Sequence, residues 1–461
     1  MPCNGFKFRR DRVRQFNDEV VYLFPTLFAD ANRKSNKRIL CRTVTFQVTD
    51  ACNLACTYCY QINKGVRRMS LDVAKKFIDM LLTGEKGMKD YINEEYSPFI
   101  IIEFIGGEPF LEVDLIEQII RYFIDECIRL NHPWATRHRF SICSNGTLYR
   151  DPKVQAFLNR YSDSLSFSVT LDGNKELHDS CRIFPNGKGS YDLAYDACID
   201  WMDRGYYMGS KITIAPGNVG ELYGAILHMI SLGYKDIMAN CVFEEGWTIE
   251  HAGILYDQMK KIADYIIEND LLDDLLITLF DEDSFVPLTE GDDGNWCGGT
   301  GLMLAVDPDG YLYPCIRYME SSLGNEVPPL RIGDVETGIG ICKEHCDTIS
   351  CLNCITRRSQ STDECYYCPI ARGCAWCSGY NYQMYGTADK RATFICIMHK
   401  ARALGNAYLF SRWYEKYYPD KKYKLYLDTD TIISIIGEEE YETLINSPNI
   451  MYDRKVDEKW S

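Results

Sequence analysis

The sequence predicts an α/β protein in which a partial barrel of six β/α units precedes a smaller, cysteine-rich region. Three observations support this fold class. Six short β-rich segments each precede an amphipathic helical segment between residues 42 and 270, an alternation typical of parallel strands joined by right-handed crossovers. Segments rich in Gly, Asn, Asp and Cys follow the first four predicted strands. Nine cysteines then lie between residues 342 and 396.

The strands and helices can be followed in order along the chain. The predicted pairs are 42–49 with 70–84, 99–105 with 112–130, 139–144 with 152–160, 165–171 with 190–205, 211–215 with 221–233, and 235–243 with 251–270. Ser70 is the predicted N-cap of the first helix, and the apolar run FIIIEFI suits a strand covered on both faces. A doubly wound open sheet fits the same alternation. We favour a partial (β/α)6 barrel of the TIM type, because its loops after successive strands meet on one face where ligands bind.

After about residue 290 the regular alternation ends. A Gly- and Asp-rich linker (291–301) leads into a predicted β-hairpin at 302–315 that turns at Asp307-Pro308-Asp309-Gly310. The cysteine-rich stretch that follows has few large apolar residues, so we expect bound metal to hold it together. The predicted division of the chain is an N-terminal extension (1–41), the barrel (42–290), the cysteine-rich domain (291–400) and a helical and mixed tail (401–461).

Composition and charge exclude several classes of protein. The chain has 461 residues, of which 46% are apolar and 25% charged, the balance of a globular protein. Fifty Lys and Arg against 66 Asp and Glu give a net charge of −16, which argues against a nucleic-acid partner. No apolar run approaches the ~18 residues of a membrane span, and the N-terminus lacks the apolar stretch of a secretory signal. We therefore expect a cytoplasmic protein with no membrane partner.

Cysteine is the unusual component of this chain, with 21 residues. In a reducing compartment, grouped cysteines indicate metal or redox sites rather than disulfides. Fourteen of them are grouped: three at 52–59, two at 297 and 315, and nine between 342 and 396. We interpret the scattered ones as small buried apolar side chains, and they are Cys3, Cys41, Cys127, Cys143, Cys181, Cys198 and Cys241.

The first cysteine group has the spacing C-x3-C-x2-C, formed by Cys52, Cys56 and Cys59. A structural zinc site or a fully ligated iron–sulfur cube needs four protein ligands. Three thiolates without a nearby fourth indicate a [4Fe–4S] cluster with one open iron, which can chelate the amino and carboxylate groups of S-adenosylmethionine. The alternative is a zinc site completed by a distant His or Cys.

The segment CNLACTYCY, with GGEP after the next strand, resembles the radical S-adenosylmethionine (SAM) superfamily. The resemblance implies that the three cysteines bind the cluster. It also implies a set of SAM-binding residues on the loops of the barrel face. These are Tyr58 beside the adenine, Gly106, Gly107 and Glu108 at the methionyl ammonium, Ser144, Asn145 and Thr170 as candidates for the ribose and carboxylate, and Arg182 as a carboxylate clamp.

The C-terminal cysteines extend the resemblance to the SPASM domain, which carries two auxiliary [4Fe–4S] clusters. The matching features are DGYLYPC, the run C-x2-C-x5-C-x2-C and a late cysteine; the family's last spacing in that run is x3. The resemblance implies two ligand sets. The first is Cys297, Cys315 and Cys377, and the second is Cys365, Cys368, Cys374 and Cys396.

Four further cysteines leave two interpretations open. Either one of Cys342, Cys346, Cys351 and Cys354 completes the first auxiliary cluster, or the four form a separate site. We favour the separate site, and a zinc ion with four thiolate ligands is plausible there because C-x2-C and C-x3-C are structural zinc spacings. The first auxiliary cluster would then keep an open iron able to bind a substrate thiolate.

The resemblance implies an enzyme that generates a 5′-deoxyadenosyl radical. We expect a maturase that forms thioether crosslinks from cysteine in a ribosomally made precursor peptide, because residues 356–383 and 389–403 look most like maturases of cysteine-repeat peptides. Implied partners are that cysteine-containing peptide and an electron donor such as flavodoxin or ferredoxin. Only about forty residues precede the first predicted strand, so we expect a truncated element, the C-terminal tail or a separate leader-binding protein to recognise the leader. Oxygen lability of an open iron implies an anaerobic cytoplasm.

Two other functions stay open. An anaerobic sulfatase-maturing enzyme carries an Asp base directly after the hairpin cysteine, where this chain has Ile316 and then Arg317. A non-catalytic iron–sulfur protein would not need an open iron. The candidate bases, Glu244 and Glu245, follow the sixth predicted strand, although a solvated charge pair explains them as well. We interpret His178 as structural.

Overall fold

A computed structural model describes residues 41–452 of the protein, apart from Tyr96, Glu245, Glu290, Trp296 and Asn325. The predicted N-terminal extension, apart from the backbone of Cys41, and residues 453–461 of the predicted tail lie outside the described residues. The candidate base Glu245 lies outside them too. No helix among the described residues is long and apolar enough to cross a membrane.

The barrel consists of parallel strands. They are β1 (Cys41–Thr49), β2 (Phe99–Gly106), β3 (His138–Ser144), β4 (Leu165–Val169), β5 (Ile212–Ile214), β6 (Asp236–Ile237), β7 (Ala239–Cys241) and β8 (Leu276–Ile277). Strands β1 to β4 pair in order, β5 pairs with β7, and β6 pairs with β8. A parallel bridge between Ser168 and Gly209 continues the curvature from β4 toward β5. The partial (β/α) barrel is confirmed; its sixth strand is split into β6 and β7, and β8 is an addition.

Helices cover the outside of the barrel. They are α1 (Leu71–Thr83), α2 (Met88–Tyr91), α3 (Val113–Arg129), α4 (Pro152–Tyr161), α5 (Lys175–Cys181), α6 (Tyr191–Asp203), α7 (Leu222–Ser231) and α8 (Ile249–Glu268). The six predicted helices are all present. Ser70 caps α1 by accepting a hydrogen bond from the Val73 amide at 3.2 Å, as expected for an N-cap. The short helices α2 and α5 were not predicted.

The apolar core lies between the strands and the helices, and the inner face of the barrel is polar. Phe46, Phe104 and Phe140 on neighbouring strands form one continuous layer, with ring centroids 5.6 and 6.4 Å apart. Each such buried side chain contributes about 1.5–3 kcal/mol. Alternate residues point inward, where the Thr45 hydroxyl donates to the Glu103 carboxylate at 2.8 Å. The interior therefore offers polar groups to a ligand.

The C-terminal region is attached to the barrel through its sheet. Strand β9 (Met303–Val306) pairs in parallel with β1 and forms the predicted hairpin with β10 (Tyr311–Tyr313), and β11 (Gly333–Asp334) and β12 (Gly338–Ile339) extend the sheet. Gly310 closes the turn with a φ of +89°, a conformation that favours glycine. This hairpin places Cys315 directly beside the barrel.

The remaining elements complete the C-terminal half. They are α9 (Lys343–Asn353), α10 (Arg357–Gln360), α11 (Asp363–Tyr366), α12 (Ser378–Tyr385), α13 (Cys396–Tyr417), β13 (Tyr423–Leu425), α14 (Thr429–Ile436), α15 (Glu438–Ile445) and β14 (Ile450–Tyr452). Helix α13 packs along α8. Tyr313, Tyr318, Met319, Leu323 and Leu352 form a small separate apolar cluster that joins the hairpin region to the cysteine-rich stretch. That bound metal holds this stretch together stays a prediction.

Candidate functional site

The cysteine triad lies in the irregular loop that follows β1. Cys52, Cys56 and Cys59 are all partly buried, and the Cys59 amide donates to the Cys56 carbonyl at 3.3 Å. Burial raises the pKa of the Cys52 and Cys56 thiols, so their thiolate forms need a nearby cation. Within the described residues, no three His, Cys, Asp or Glu side chains converge on a metal position. The role of the triad as iron ligands stays a prediction.

The GGEP segment after β2 lies directly against this loop. The amides of Gly107 and Glu108 donate to the carbonyls of Thr49 and Ala51, at 3.1 and 2.9 Å. A Cβ atom on Gly107 would lie 2.4 Å from the Ala51 carbonyl oxygen and 2.6 Å from the Cys52 Cβ. Only glycine fits this close approach, which places the backbone of residues 106–108 beside the first cysteine of the triad.

Glu108 joins the β2 loop to the β3 loop. Its buried carboxylate accepts hydrogen bonds from the Ser144 hydroxyl at 2.8 Å, the Asn145 amide at 2.8 Å and the Phe110 amide at 3.1 Å. Burial is the largest influence on this group and raises its pKa. The charge of Arg182 lowers this pKa, but burial outweighs it. Because a buried carboxylate is costly without a close positive partner, this site favours a ligand that carries N–H donors, such as an amino group.

A second polar network connects the triad loop with the loop after β3. The Asn145 side-chain amide donates to the Asn53 carbonyl oxygen at 2.8 Å, and the Asn53 amide donates to the Thr147 hydroxyl at 2.7 Å. The Thr170 amide donates to the Ser144 carbonyl at 3.0 Å, which adds the loop after β4. The predicted residues Ser144, Asn145 and Thr170 therefore lie at one edge of the barrel.

Tyr58 and Arg182 meet at a buried carboxylate. The Tyr58 hydroxyl donates to Asp172 and accepts from Arg182 at 3.0 Å. Arg182 lies 3.9 Å from the Asp172 carboxylate, and its buried Nε has no acceptor among the described residues. This arrangement leaves Arg182 with a donor for an additional anionic group, as a carboxylate clamp requires.

His178 matches its predicted structural role. It is fully buried, its Nδ1 accepts from the Asp172 amide at 3.3 Å, and its Nε2 lies 3.1 Å from the Ser190 hydroxyl. Burial lowers the pKa of His178 to about 3. The imidazole is therefore neutral near pH 7 and holds Asp172 in place.

The first auxiliary cysteine set is brought together around the loop after the linker. A Cβ atom on Gly299 would lie 2.9 Å from the Cys315 sulfur and 3.5 Å from the Cys297 sulfur. Cys315 interacts electrostatically with Cys297 and Cys377, and burial raises its pKa well above the ordinary value. The Arg317 backbone amide donates to Cys315. Three thiols from distant parts of the chain thus lie near one another, although they do not converge on a metal position in this conformation.

The second set gathers separately. Cys396 at the start of α13 interacts electrostatically with Cys365, Cys368 and Cys374, and burial raises its pKa to about 12. Arg391 lies beside the same thiols and donates to the Cys374 carbonyl at 2.8 Å. The second group of thiols therefore lies apart from the first, and the assignment of each group to a cluster stays a prediction.

The four cysteines at 342–354 are arranged along α9 and its two caps, and all four are exposed. At about 100° per residue, Cys342 and Cys346 lie on one side of the helix, whereas Cys351 and Cys354 lie on the other. A continuous helix does not direct all four sulfurs to one ion in this conformation. The separate zinc site stays a prediction.

A pocket of about 230 Å³ lies between the triad loop and the C-terminal region. Its wall includes Tyr58, Cys59 and Tyr60 on one side and Arg317 and Tyr380 on the other, with Glu244 between them. Glu244 accepts from Arg317 at 3.0 Å. This candidate base is thus an ion-pair partner in the pocket.

Comparisons with known proteins agree with this geometry. No family model matches the chain. It is 26% identical over 287 residues to the subtilosin biosynthesis protein AlbA of Bacillus subtilis, with 61% of this chain and 56% of the relative covered. The mycofactocin maturase MftC of Mycolicibacterium smegmatis is 27% identical, with 59% and 63% covered. The chain thus spans about three fifths of the length of these curated relatives.

Among solved structures, anSMEcpe with bound AdoMet (SAM) is similar to this chain with a TM-score of 0.58 at 17% identity, covering 81% of this chain and 98% of that one. This likeness concerns the fold. In sequence the chain thus resembles radical SAM maturases, and its fold is that of anSMEcpe.

Several site residues were missed from the sequence. Asn53, Asp172 and Arg317 make the contacts described above, yet nothing in the local pattern distinguishes them.

The interpretation of Cys143 as a buried side chain was wrong. Cys143 is exposed, unlike the buried Cys127, Cys181, Cys198 and Cys241, because the alternation along β3 directs it to the polar inner face; Cys3 and the Cys41 side chain lie outside the described residues.

SAM affinity should depend on pH through Glu108. Its pKa is raised from 4.5 in the ligand-free protein, so protonated Glu108 stabilises the fold below pH 4.5, and this contribution is lost as pH rises through the raised pKa. The amino group of SAM would donate N–H hydrogen bonds to Glu108 and so favour its ionised carboxylate, and binding would therefore release a proton at acid pH. We expect the affinity, measured by calorimetry on the iron-loaded protein, to rise with pH and then level off. Glu108→Gln should remove this slope, and an unchanged slope would contradict the assignment.

Proposed function

We propose that the protein is a radical SAM enzyme that matures a ribosomally made precursor peptide, most specifically by forming thioether crosslinks from its cysteines. One observation carries the proposal: the loops after β1, β2 and β3 are hydrogen-bonded around Glu108 beside the cysteine triad. The relatives AlbA and MftC, a subtilosin biosynthesis protein and a mycofactocin maturase, support a peptide as the substrate.

The residues present fit an iron–sulfur cluster and SAM. Cys52, Cys56 and Cys59 offer three sulfur ligands, and Glu108 with the backbone carbonyls of residues 106 and 107 offers acceptors to an ammonium. Arg182 offers its unpaired donor to the methionyl carboxylate, and Tyr58 would lie beside the adenine. When bound, the cluster would supply the electron that cleaves SAM to a 5′-deoxyadenosyl radical.

In this proposal the protein orients the substrate and limits side reactions. The buried network of Glu108, Asn145 and Asn53 fixes the loops before SAM arrives, so little reorganisation is needed on binding. The pocket beside Cys59 would hold the peptide next to the radical and away from bulk water. Among the described residues that line the pocket, Glu244 is the carboxylate that would accept a proton from the substrate.

Two auxiliary clusters would be held by the two cysteine sets described above. The first set brings together three thiols, which fits a cluster with an open iron for a substrate sulfur. An electron donor such as flavodoxin or ferredoxin and a separate leader-binding protein complete the proposed set of partners. The sulfatase-maturing alternative has weaker support, because Ile316 occupies the position of its Asp base and cannot accept a proton.

The decisive experiment coexpresses the peptide encoded beside this gene with and without the protein under anaerobic conditions. We expect mass spectrometry to show that the peptide loses two hydrogens per crosslink. Fragmentation of the peptide should place each link at a cysteine. Purified, reconstituted protein should also form 5′-deoxyadenosine from SAM and a reductant. A fully iron-loaded protein that forms none would favour the non-catalytic alternative.

The separate zinc site is tested by metal analysis. If Cys342, Cys346, Cys351 and Cys354 bind zinc, the double variant Cys351→Ala/Cys354→Ala should lose zinc and keep its iron and sulfide. Cys198→Ala, which removes a buried thiol distant in sequence from all groups, is the matched control. Loss of iron in the double variant, with no zinc in the parent protein, would refute the site and indicate a fourth ligand of the first auxiliary cluster.

A further inference from the structure

Arg317 is a buried cation held firmly in the pocket between the two cysteine regions. Its side chain is only 16% exposed. The guanidinium lies 5.2 Å from the centroid of the Tyr60 ring and 5.7 Å from that of Tyr380, within cation–π range. A Cβ atom on Gly379 would lie 2.5 Å from the Arg317 Cβ, so the first turn of α12 packs directly against this side chain.

The hydrogen bonds of this guanidinium are incomplete. Nη2 donates to Glu244 at 3.0 Å, whereas the buried Nε has no acceptor among the described residues. A buried donor without an acceptor is costly, and the Nε and Nη2 edge of an arginine suits an anion that accepts two bonds. Glu244 therefore satisfies only some of the hydrogen-bond donors of Arg317.

Glu244 is held less firmly than Arg317. Its side chain is 42% exposed, and it lies in the irregular segment between β7 and α8, where Gly246 has a φ of +114°. Exposed ion pairs contribute little to stability. A fixed, buried cation with a solvent-exposed counter-ion is the arrangement expected of an exchangeable anion site.

We infer that Arg317 binds an anionic side chain of the substrate peptide, a carboxylate or a cysteine thiolate, which displaces Glu244. This inference rests on the proposed function, in that it takes the substrate to be a peptide. The site lies between Cys59 and the Cys315–Cys377 pair, so the bound side chain would sit between the two proposed clusters. Arg317 is thus a residue that positions the substrate and selects for an anion.

The test measures binding to the reconstituted full-length protein with SAM present. Three synthetic, terminally blocked pentapeptides serve as probes: Gly-Gly-Cys-Gly-Gly, Gly-Gly-Glu-Gly-Gly and Gly-Gly-Gln-Gly-Gly. At a pH of about 8.5 roughly half of a free cysteine is ionised, so both anion types are available. We expect the parent protein to bind at least one anionic peptide more tightly than the glutamine peptide, and whichever binds identifies the anion.

Three variants distinguish anion binding from a structural ion pair. Arg317→Gln should weaken binding of the anionic peptide roughly ten-fold, and Arg317→Lys by less, since lysine keeps the charge without the planar fork. Glu244→Gln should tighten binding, because it removes the competing carboxylate. Arg331→Gln, which removes an arginine that stacks on Tyr311, is the control and should bind as the parent does.

The inference is overturned if Arg317→Gln binds the anionic peptides as the parent does, or if Glu244→Gln weakens binding as much as Arg317→Gln. Equal binding of all three peptides by the parent would overturn it as well. Formation of 5′-deoxyadenosine by the parent protein, measured in parallel, reports on the proposed function separately. A protein that forms this product without discriminating anions contradicts only the role of Arg317.

Discussion

Replacing Gly107 with alanine is expected to abolish most SAM binding and cleavage. The added methyl group would lie 2.4 Å from the Ala51 carbonyl oxygen and 2.6 Å from the Cys52 Cβ, so the β1 and β2 loops must separate. Overpacking of this kind costs about 1–3 kcal/mol, which corresponds to roughly 5- to 150-fold weaker binding. The separation would also move Cys52 and reduce iron loading of the triad.

The matched control is Gly217→Ala. Gly217 lies in the short 3-10 helix Pro216–Glu221 that follows β5, and a Cβ atom there meets nothing within 4 Å. SAM affinity by calorimetry, iron content and 5′-deoxyadenosine formation should all change in Gly107→Ala and stay constant in the control. Near-normal SAM affinity in an iron-loaded Gly107→Ala protein would show that the contact between residues 51 and 107 does not position the site.

The second large effect concerns the two auxiliary cysteine sets. We expect Cys315→Ala/Cys377→Ala to lose about four iron atoms per chain, the content of one [4Fe–4S] cluster. Cys374→Ala/Cys396→Ala should lose a similar amount from the other location. The reason is that Cys315 interacts with Cys297 and Cys377, whereas Cys396 interacts with the thiols at 365, 368 and 374.

Iron and sulfide analysis with Mössbauer spectroscopy measures both losses, and Cys198→Ala again serves as the control for a buried thiol. The quadruple variant should retain only the iron of the triad, with effects that add because the sets are separate. If either double variant already loses all auxiliary iron, the two sets share ligands and the division is wrong.

Much of the barrel was predictable because its signals are local. Ser70 and Gly84 cap the helix 71–83, and the hairpin turns at Gly310. Capping and turn residues therefore predicted the positions of both elements. Strand β8 and helix α5 were missed because two and seven residues carry too little periodicity. The sixth strand was predicted as continuous, yet it is interrupted at Met238.

The chemistry was predictable only where it depends on a compact motif. The cysteine triad and GGEP stand out in the sequence, whereas Arg317 and Asp172 acquire their roles from partners 73 or more residues away, such as Glu244 and Tyr58. Cys143 could have been placed correctly, because Phe140 and Ile142 on the opposite face of β3 are apolar and alternate with it. The prediction that Cys143 is buried rested on its residue type and did not use that alternation.

The parallel pairing of β9 with β1 has a consequence for how the protein can be dissected. A fragment ending near residue 290 would expose the backbone of β1 along residues 43–46, where the protein now pairs it with residues 303–306. Uncovered strand edges of this kind recruit other chains and aggregate. The N-terminal half should therefore express as insoluble material, and the enzyme is best produced and assayed as a single polypeptide.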